Sequence, residues 1–153
     1  MRDPHHWTAT EALAALQARK IGALELLDHM MARQARLDGA VNAVIATDPE
    51  SARAAARRAD SGAPGGALQG LPMTIKETWD VVGFTTTAGI PDLAGNRPSR
   101  DADAVARLRA AGAVIWGKTN VPLAAADHQS ANPLYGLTCN PWDAGRSAGG
   151  SSG

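Results

Sequence analysis

A single cysteine, Cys139, stands in the whole chain of 153 residues. That excludes an intrachain disulfide and any zinc site built from several thiolates, and a reducing, cytoplasmic home follows as the expectation. Net charge is missing too, since 15 Lys and Arg offset 15 Asp and Glu. With the Arg residues scattered along the chain, no field draws in nucleic acid or an anionic membrane surface. Nor does any stretch approach the roughly 18 apolar residues that cross a bilayer. The opening "MRDPHHWTAT" lacks the apolar centre of a secretory signal. What is present is a 44% hydrophobic composition, enough for one soluble domain with its own core.

Along the first third, Leu13, Leu16, Ile21, Leu24, Leu27 and Met31 recur at helical spacing, with Thr10 as the N-cap and Gly22 separating two helices. A further Ala-rich helix, Ser51 to Ala59, follows Pro49 and Glu50. Residues 1–60 therefore read as a helical region. "SGAPGG", Ser61 to Gly66, is a turn-rich connector, after which "LPMTIKETWDVV" reads as a strand entering a loop. Arg100 to Ala111 returns to helix, "AVIWGKTN" is a buried strand run, and Pro122 opens a short helical turn. Helices and strands alternate from residue 67 to 153, as in the core of an α/β fold.

Gly112 to Thr119 fits the phosphate-loop pattern G-x-x-x-x-G-K-[ST] letter for letter. A phosphate loop follows a strand, keeps its middle flexible so that backbone N–H groups can cradle phosphates, and leads directly into a helix. Here a helix comes first, the middle residues are the strand, and Asn120-Val121-Pro122 intervenes before any helix. A P-loop nucleotide-binding protein is thus a remote alternative.

Among the lysines, Lys76 follows Pro72, Met73 and Ile75 at the end of an apolar strand, where burial would lower an ammonium pKa and fit it for general-base work. Glu77, next along, points to the opposite face. The plainer alternative is a surface lysine with its stem on apolar neighbours. A partner for Lys76 would decide between them. "GGSSG" at Gly149 to Gly153 offers serines on a backbone free to approach a substrate, although a flexible linker has the same composition. "NPWD" just before it argues for a fixed loop, with Trp142 as an apolar anchor, Pro141 stiffening the entry and Asp143 bonding turn backbone. His5 and His6 lie in the N-terminal arm and His29 in a helix. His128, in a loop, is more simply a structural histidine than a base. Serine chemistry here would need lysine.

Three ordered segments, "GLPMTIKETWDVVGFTTTAG", "GAVIWGKTNVPLAAADHQSANPLYGLTCNPWD" and "GRSAGGSSG", resemble the amidase signature hydrolases, whose catalytic unit is a Ser-cisSer-Lys triad. The resemblance covers most of the chain after Gly70. It implies the N-terminal portion of a single amidase domain of α/β fold, the start of an α/β/α sandwich with a mixed central sheet. Lys76 matches the catalytic lysine, and Ser151 matches the middle serine, whose peptide bond from Gly150 is cis in the family. The resemblance implies that Lys76 draws a proton through Ser151 from a nucleophilic serine, which attacks an amide carbonyl to give an acyl-enzyme that water hydrolyses. The nucleophile belongs to a later family motif, so it is expected beyond residue 153, and these residues alone are expected to be inactive.

Gly149, Gly150 and Ser152 support that loop, and Ser147 has the role of a hydrogen-bonding loop residue rather than of nucleophile. Ala124, Ala125, Ala126 and Asp127 match the family's loop beside the scissile bond, where small side chains leave room for substrate, though alanines also suit close packing. Cys139 reads as an inert thiol. The partner implied is a small-molecule amide, with no cofactor, metal, nucleic acid or membrane, and a homodimer left open. The A-type, glutaminase subunit of a glutamyl-tRNA amidotransferase is the alternative. Val121-Pro122-Leu123 after "GKTN" is closer to free-standing amidases than to those amidotransferase proteins.

Overall fold

The computed structural model describes residues 3–62 and 65–153. The connector expected at Ser61 to Gly66 therefore lies partly outside the described residues, as do the first two residues of the expected helical region.

Helix α1 (Ala9–Gln17) opens on a capping box earlier than expected. Thr8, not Thr10, is the N-cap. Thr8 Oγ1 accepts from Glu11 N at 3.2 Å, and Thr8 N donates to Glu11 Oε2 at 2.6 Å. Glutamate three residues after a threonine satisfies two orphan donors at once, and Thr10 has no such partner three residues on. Gly22 does divide two helices, being the N-cap of α2 (Ala23–Val41). Glycine has no side chain to cap with. The last residue of α3 (Pro49–Asp60) supplies the acceptor instead, Asp60 taking Ala23 N at 2.6 Å and Leu24 N at 3.0 Å.

One strand is absent from the expectations above. β1 (Val44–Thr47) lies inside the stretch expected to be helical, between α2 and α3. Asn42 ends α2 in the left-handed conformation, at φ 57°, and Asp38 takes the Ala43 N–H at 2.8 Å, so the chain turns out of the helix before Val44. Only four residues long, the strand shows too little periodicity to declare itself. With β2 (Pro72–Lys76) and β3 (Val114–Thr119) it makes a three-stranded sheet in the order β1-β3-β2. β3 pairs antiparallel with β1 and parallel with β2, so the sheet is mixed.

Helices cover both faces of β3. Val114 and Trp116 pack with Ala23, Leu27, Ala52 and Ala56 of α2 and α3. Ile115, on the other face, packs with Ile75, Val81, Phe84 and Val105 of α4 (Asp103–Ala110). The continuous apolar run of "AVIW" is what a strand buried on two sides requires. Leu26 and Leu27 have no exposed surface, and truncating one such core leucine to alanine costs about 2–5 kcal/mol. Gly117 sits where the register of β3 shifts against β2, and on its other edge it pairs with Thr47 of β1. A Cβ there would lie 2.8 Å from Ala46 O, so the close approach of β1 needs glycine. Among the described residues no helix is long and apolar enough to cross a membrane.

Cross-capping of α2 by Asp60 is open to test. Asp60→Ala should lower unfolding stability by about 1–2 kcal/mol in urea denaturation, while Asp60→Asn, which still accepts hydrogen bonds, should recover most of the loss. Equal midpoints for the parent and the alanine variant would contradict the cap.

Candidate active site

Lys76 closes β2, and its Nζ lies 2.5 Å from Ser151 Oγ across 75 residues of sequence. The Gly150–Ser151 peptide bond is cis. Both side chains are half-buried. Lys76 therefore has a hydroxyl partner rather than lying free on the surface, and the contact lies at the carboxyl ends of parallel strands.

Lysine burial is greatest elsewhere. Lys118 has no exposed surface, and its Nζ donates to Thr85 O at 2.6 Å and Thr86 Oγ1 at 3.0 Å. Desolvation by burial pushes its pKa down to about 8, against the opposing pull of the Glu77 and Asp80 carboxylates. The lysine of the formal phosphate-loop match thus fastens a neighbouring loop, and Val114–Thr119 around it is the central strand. That geometry leaves no flexible cradle for phosphates.

Glu77, the neighbour of Lys76, is fully buried. It accepts Thr87 N at 2.6 Å, Thr87 Oγ1 at 2.9 Å and Ala88 N at 2.8 Å, which fixes the loop after β2. Beyond β3, Asn120 Nδ2 donates to Gly136 O at 3.1 Å and Thr138 Oγ1 at 3.0 Å, while its Oδ1 accepts from Asn132 Nδ2 at 2.9 Å. Asn132 Oδ1 in turn takes Leu134 N and Tyr135 N. These buried groups hold the segment 120–138 against the sheet. Residue types alone do not reveal them. The clue in the sequence is that polar residues ending an apolar strand run must find partners inside.

Ser130 joins that scaffold to the Gly/Ser loop. It immediately precedes the short strand β4 (Ala131–Asn132), which pairs with β5 (Gly136–Leu137). With no exposed surface, Ser130 donates its N–H to Gly149 O at 3.3 Å, accepts Gly153 N on Oγ at 2.9 Å, and accepts Thr138 N on its carbonyl at 2.8 Å. Gly150 packs so closely that a Cβ would lie 2.8 Å from His128 O. Glycine is needed there for approach. Gly149 N donates to Ser147 Oγ at 3.1 Å, and Ser147 Oγ also bonds Gln129 Oε1, in keeping with a loop-bonding role. Ser152 is exposed.

Trp142 does not anchor this region. It is 93% exposed, in the turn between β6 (Cys139–Asn140) and β7 (Asp143–Ser147). The hairpin is fixed by polar contacts instead, Asn140 Oδ1 taking Trp142 N at 2.8 Å and Asp143 Oδ1 taking Gly145 N at 3.1 Å. Asp143 therefore does bond turn backbone. Cys139 is half-buried in β6 opposite Ser147. In the segment 123–127, Ala124 and Ala125 take positive φ, 53° and 55°. Ala124 N donates to Ala88 O at 2.7 Å, and Asp127 Oδ1 accepts His128 N at 2.6 Å. It is His128 and Ser130, after this segment, that meet the Gly/Ser loop.

Two measurements probe this arrangement. Ser130→Ala removes the acceptor of Gly153 N, so amides of residues 149–153 should exchange faster by hydrogen exchange mass spectrometry, and unchanged protection would contradict the brace. Lys118 gives a pH signature. With a folded pKa of about 8 against an ordinary 10.5, the unfolded chain binds more protons between those values, so its contribution makes stability rise with pH across that window. Between about pH 8 and 10 the parent should gain on the order of 2 kcal/mol relative to Lys118→Met. Parallel profiles would contradict the burial.

The family profile described as Amidase matches residues 25–153. The A-type subunit of a glutamyl-tRNA(Gln) amidotransferase from Chloroflexus aurantiacus is 43% identical over the whole chain, which covers 32% of that relative. An acylamidase of Rhodococcus erythropolis is 38% identical over 96% of the chain and 32% of its own length. Among solved structures, native peptide amidase from Stenotrophomonas maltophilia superposes with a TM-score of 0.87 at 31% identity, covering 96% of this chain and 32% of that one. The chain spans about a third of the length of these relatives.

Proposed function

Because the chain belongs to the amidase signature family, we propose that the active protein hydrolyses a carbon–nitrogen amide bond with Lys76 as base and Ser151 as relay. The observation that carries this reading is the 2.5 Å approach of Lys76 Nζ to Ser151 Oγ. Short enough for a proton to pass either way, it gives the lysine a hydroxyl to act upon. The nucleophile in this reading is a serine beyond residue 153. Lys76 in its neutral form takes the Ser151 hydroxyl proton while Ser151 takes that of the nucleophile, whose oxygen attacks the amide carbon. Collapse of the tetrahedral intermediate breaks the carbon–nitrogen bond, and the relay returns the proton to the departing amine or ammonia. Water, deprotonated through the same pair, then releases the carboxylic acid from the acyl-enzyme.

The substrate in this reading is a small-molecule amide. Ala124, Ala125, Ala126 and Asp127 are assigned to its acyl side, supported by their small side chains and by the bond of Ala124 to the loop that Glu77 holds. A second reading, the glutaminase component of a tRNA-dependent amidotransferase, is favoured by the relative that matches the full chain at 43% identity. Both readings share Lys76 and Ser151. They separate on glutamine: the amidotransferase component releases ammonia from it in the presence of its partner, whereas a free-standing amidase turns over simple amides alone.

In the complete enzyme, Lys76→Ala should remove amide hydrolysis to background while thermal unfolding stays near that of the parent. Ser151→Ala should cost at least about a hundredfold in kcat, and Ser147→Ala and Ser152→Ala much less. Near-normal turnover in Lys76→Ala on any amide the parent cleaves would sink the assignment.

A further inference from the structure

Folding brings His29 of α2 to two other metal-ligand side chains near the N-terminus, Asp3 and His5. Asp3 caps the N-terminal 3-10 turn Pro4–His6, and His29 projects from α2 onto that turn. His5 Nδ1 and His29 Nε2 lie 2.5 Å and 2.8 Å from the same oxygen, Asp3 Oδ1. Each of the three offers one ligand atom, and all of these lie within 4.8 Å of one another. The two imidazoles are stacked, their planes 12° apart and their centroids 6.1 Å apart.

His29 Nε2 is the telling atom. It is buried and has no hydrogen-bond partner, since its approach to Asp3 is close without being aligned for a bond. A buried ring nitrogen left without a hydrogen bond is costly, and in the neutral tautomer that turns its lone pair to Asp3 it is repelled by the carboxylate as well. A cation shared by nitrogen and carboxylate removes both penalties. Two imidazole nitrogens and one carboxylate oxygen suit a borderline divalent transition ion, which binds such atoms at about 2.0–2.2 Å. In tetrahedral or octahedral geometry those bond lengths set ligand atoms about 3.0–3.4 Å apart. The two nitrogen–oxygen separations, 2.5 Å and 2.8 Å, would open by about 0.2–0.9 Å to reach that spacing, and the two nitrogens already lie within 4.8 Å of each other.

We propose that Asp3, His5 and His29 bind one divalent transition cation of the Zn²⁺ class, which clips the N-terminal turn onto α2. Water completes its coordination, because Asp3 is exposed. The function is structural and independent of Lys76 and Ser151.

The test uses untagged protein stripped of metal with chelator, titrated with Zn²⁺ in a calorimeter and with Co²⁺ by visible absorption. One Zn²⁺ per chain should bind in the micromolar range and raise the melting temperature. Asp3→Asn and His29→Ala should each weaken binding by at least about tenfold, the first at an exposed position that spares the fold. His128→Ala should bind as the parent does. Absence of saturable binding at one ion per chain, parent-like affinity in Asp3→Asn or His29→Ala, or loss of binding in His128→Ala would each overturn the proposal.

Discussion

Polar groups buried at the carboxyl ends of β2 and β3 must find partners, and meeting that demand positions everything else at the site. Glu77 and Lys118 have no exposed surface, nor does Asn120. Leaving one such group unpaired costs about 1–3 kcal/mol, and more if it is charged. Each therefore captures a loop: Glu77 the Thr87–Ala88 backbone, Lys118 the Thr85 carbonyl, Asn120 the 130–138 segment. Ser130, held in that last segment, then captures Gly149 and Gly153 on either side of Ser151. The path that carries the loop serine to Lys76 thus runs from Asn120 through Ser130 to the two glycines around it.

Underneath lies the apolar strand β3, paired on both edges and covered on both faces. Parallel pairing with β2 brings Lys76 level with Thr119, at the point where both strands release their loops. Loops at the carboxyl ends of parallel strands are where α/β folds commonly build sites. The buried lysine and the lysine that meets Ser151 thus leave neighbouring strands with different duties: one is committed to holding a loop, the other is available to a hydroxyl.

How much of this the sequence reveals depends on the length and contrast of each signal. α2, α3 and β3 are long or strongly apolar, and their periodicity is readable. β1 is four residues after an asparagine turn, and only its pairing with β3 identifies it. Lys76 and Ser151 are recognisable as members of ordered motifs, whereas their meeting is a tertiary fact. Trp142 misleads because an aromatic residue suggests an anchor, yet the hairpin is held by Asn140 and Asp143 and leaves the indole in solvent. Burial of Lys118 escapes a motif reading for a related reason: a letter pattern carries no record of which face of a strand is covered.

Membership of the amidase signature family and the Lys76–Ser151 contact meet in one claim, that the two side chains act as a unit. A double-mutant cycle in the complete enzyme measures that most directly, using steady-state turnover of one amide by the parent, Lys76→Ala, Ser151→Ala and the double variant. Groups that share one proton path are strongly non-additive, so the double variant should be no more than slightly slower than the slower single variant. Losses that multiply would mean that Lys76 and Ser151 work independently, and would contradict the relay.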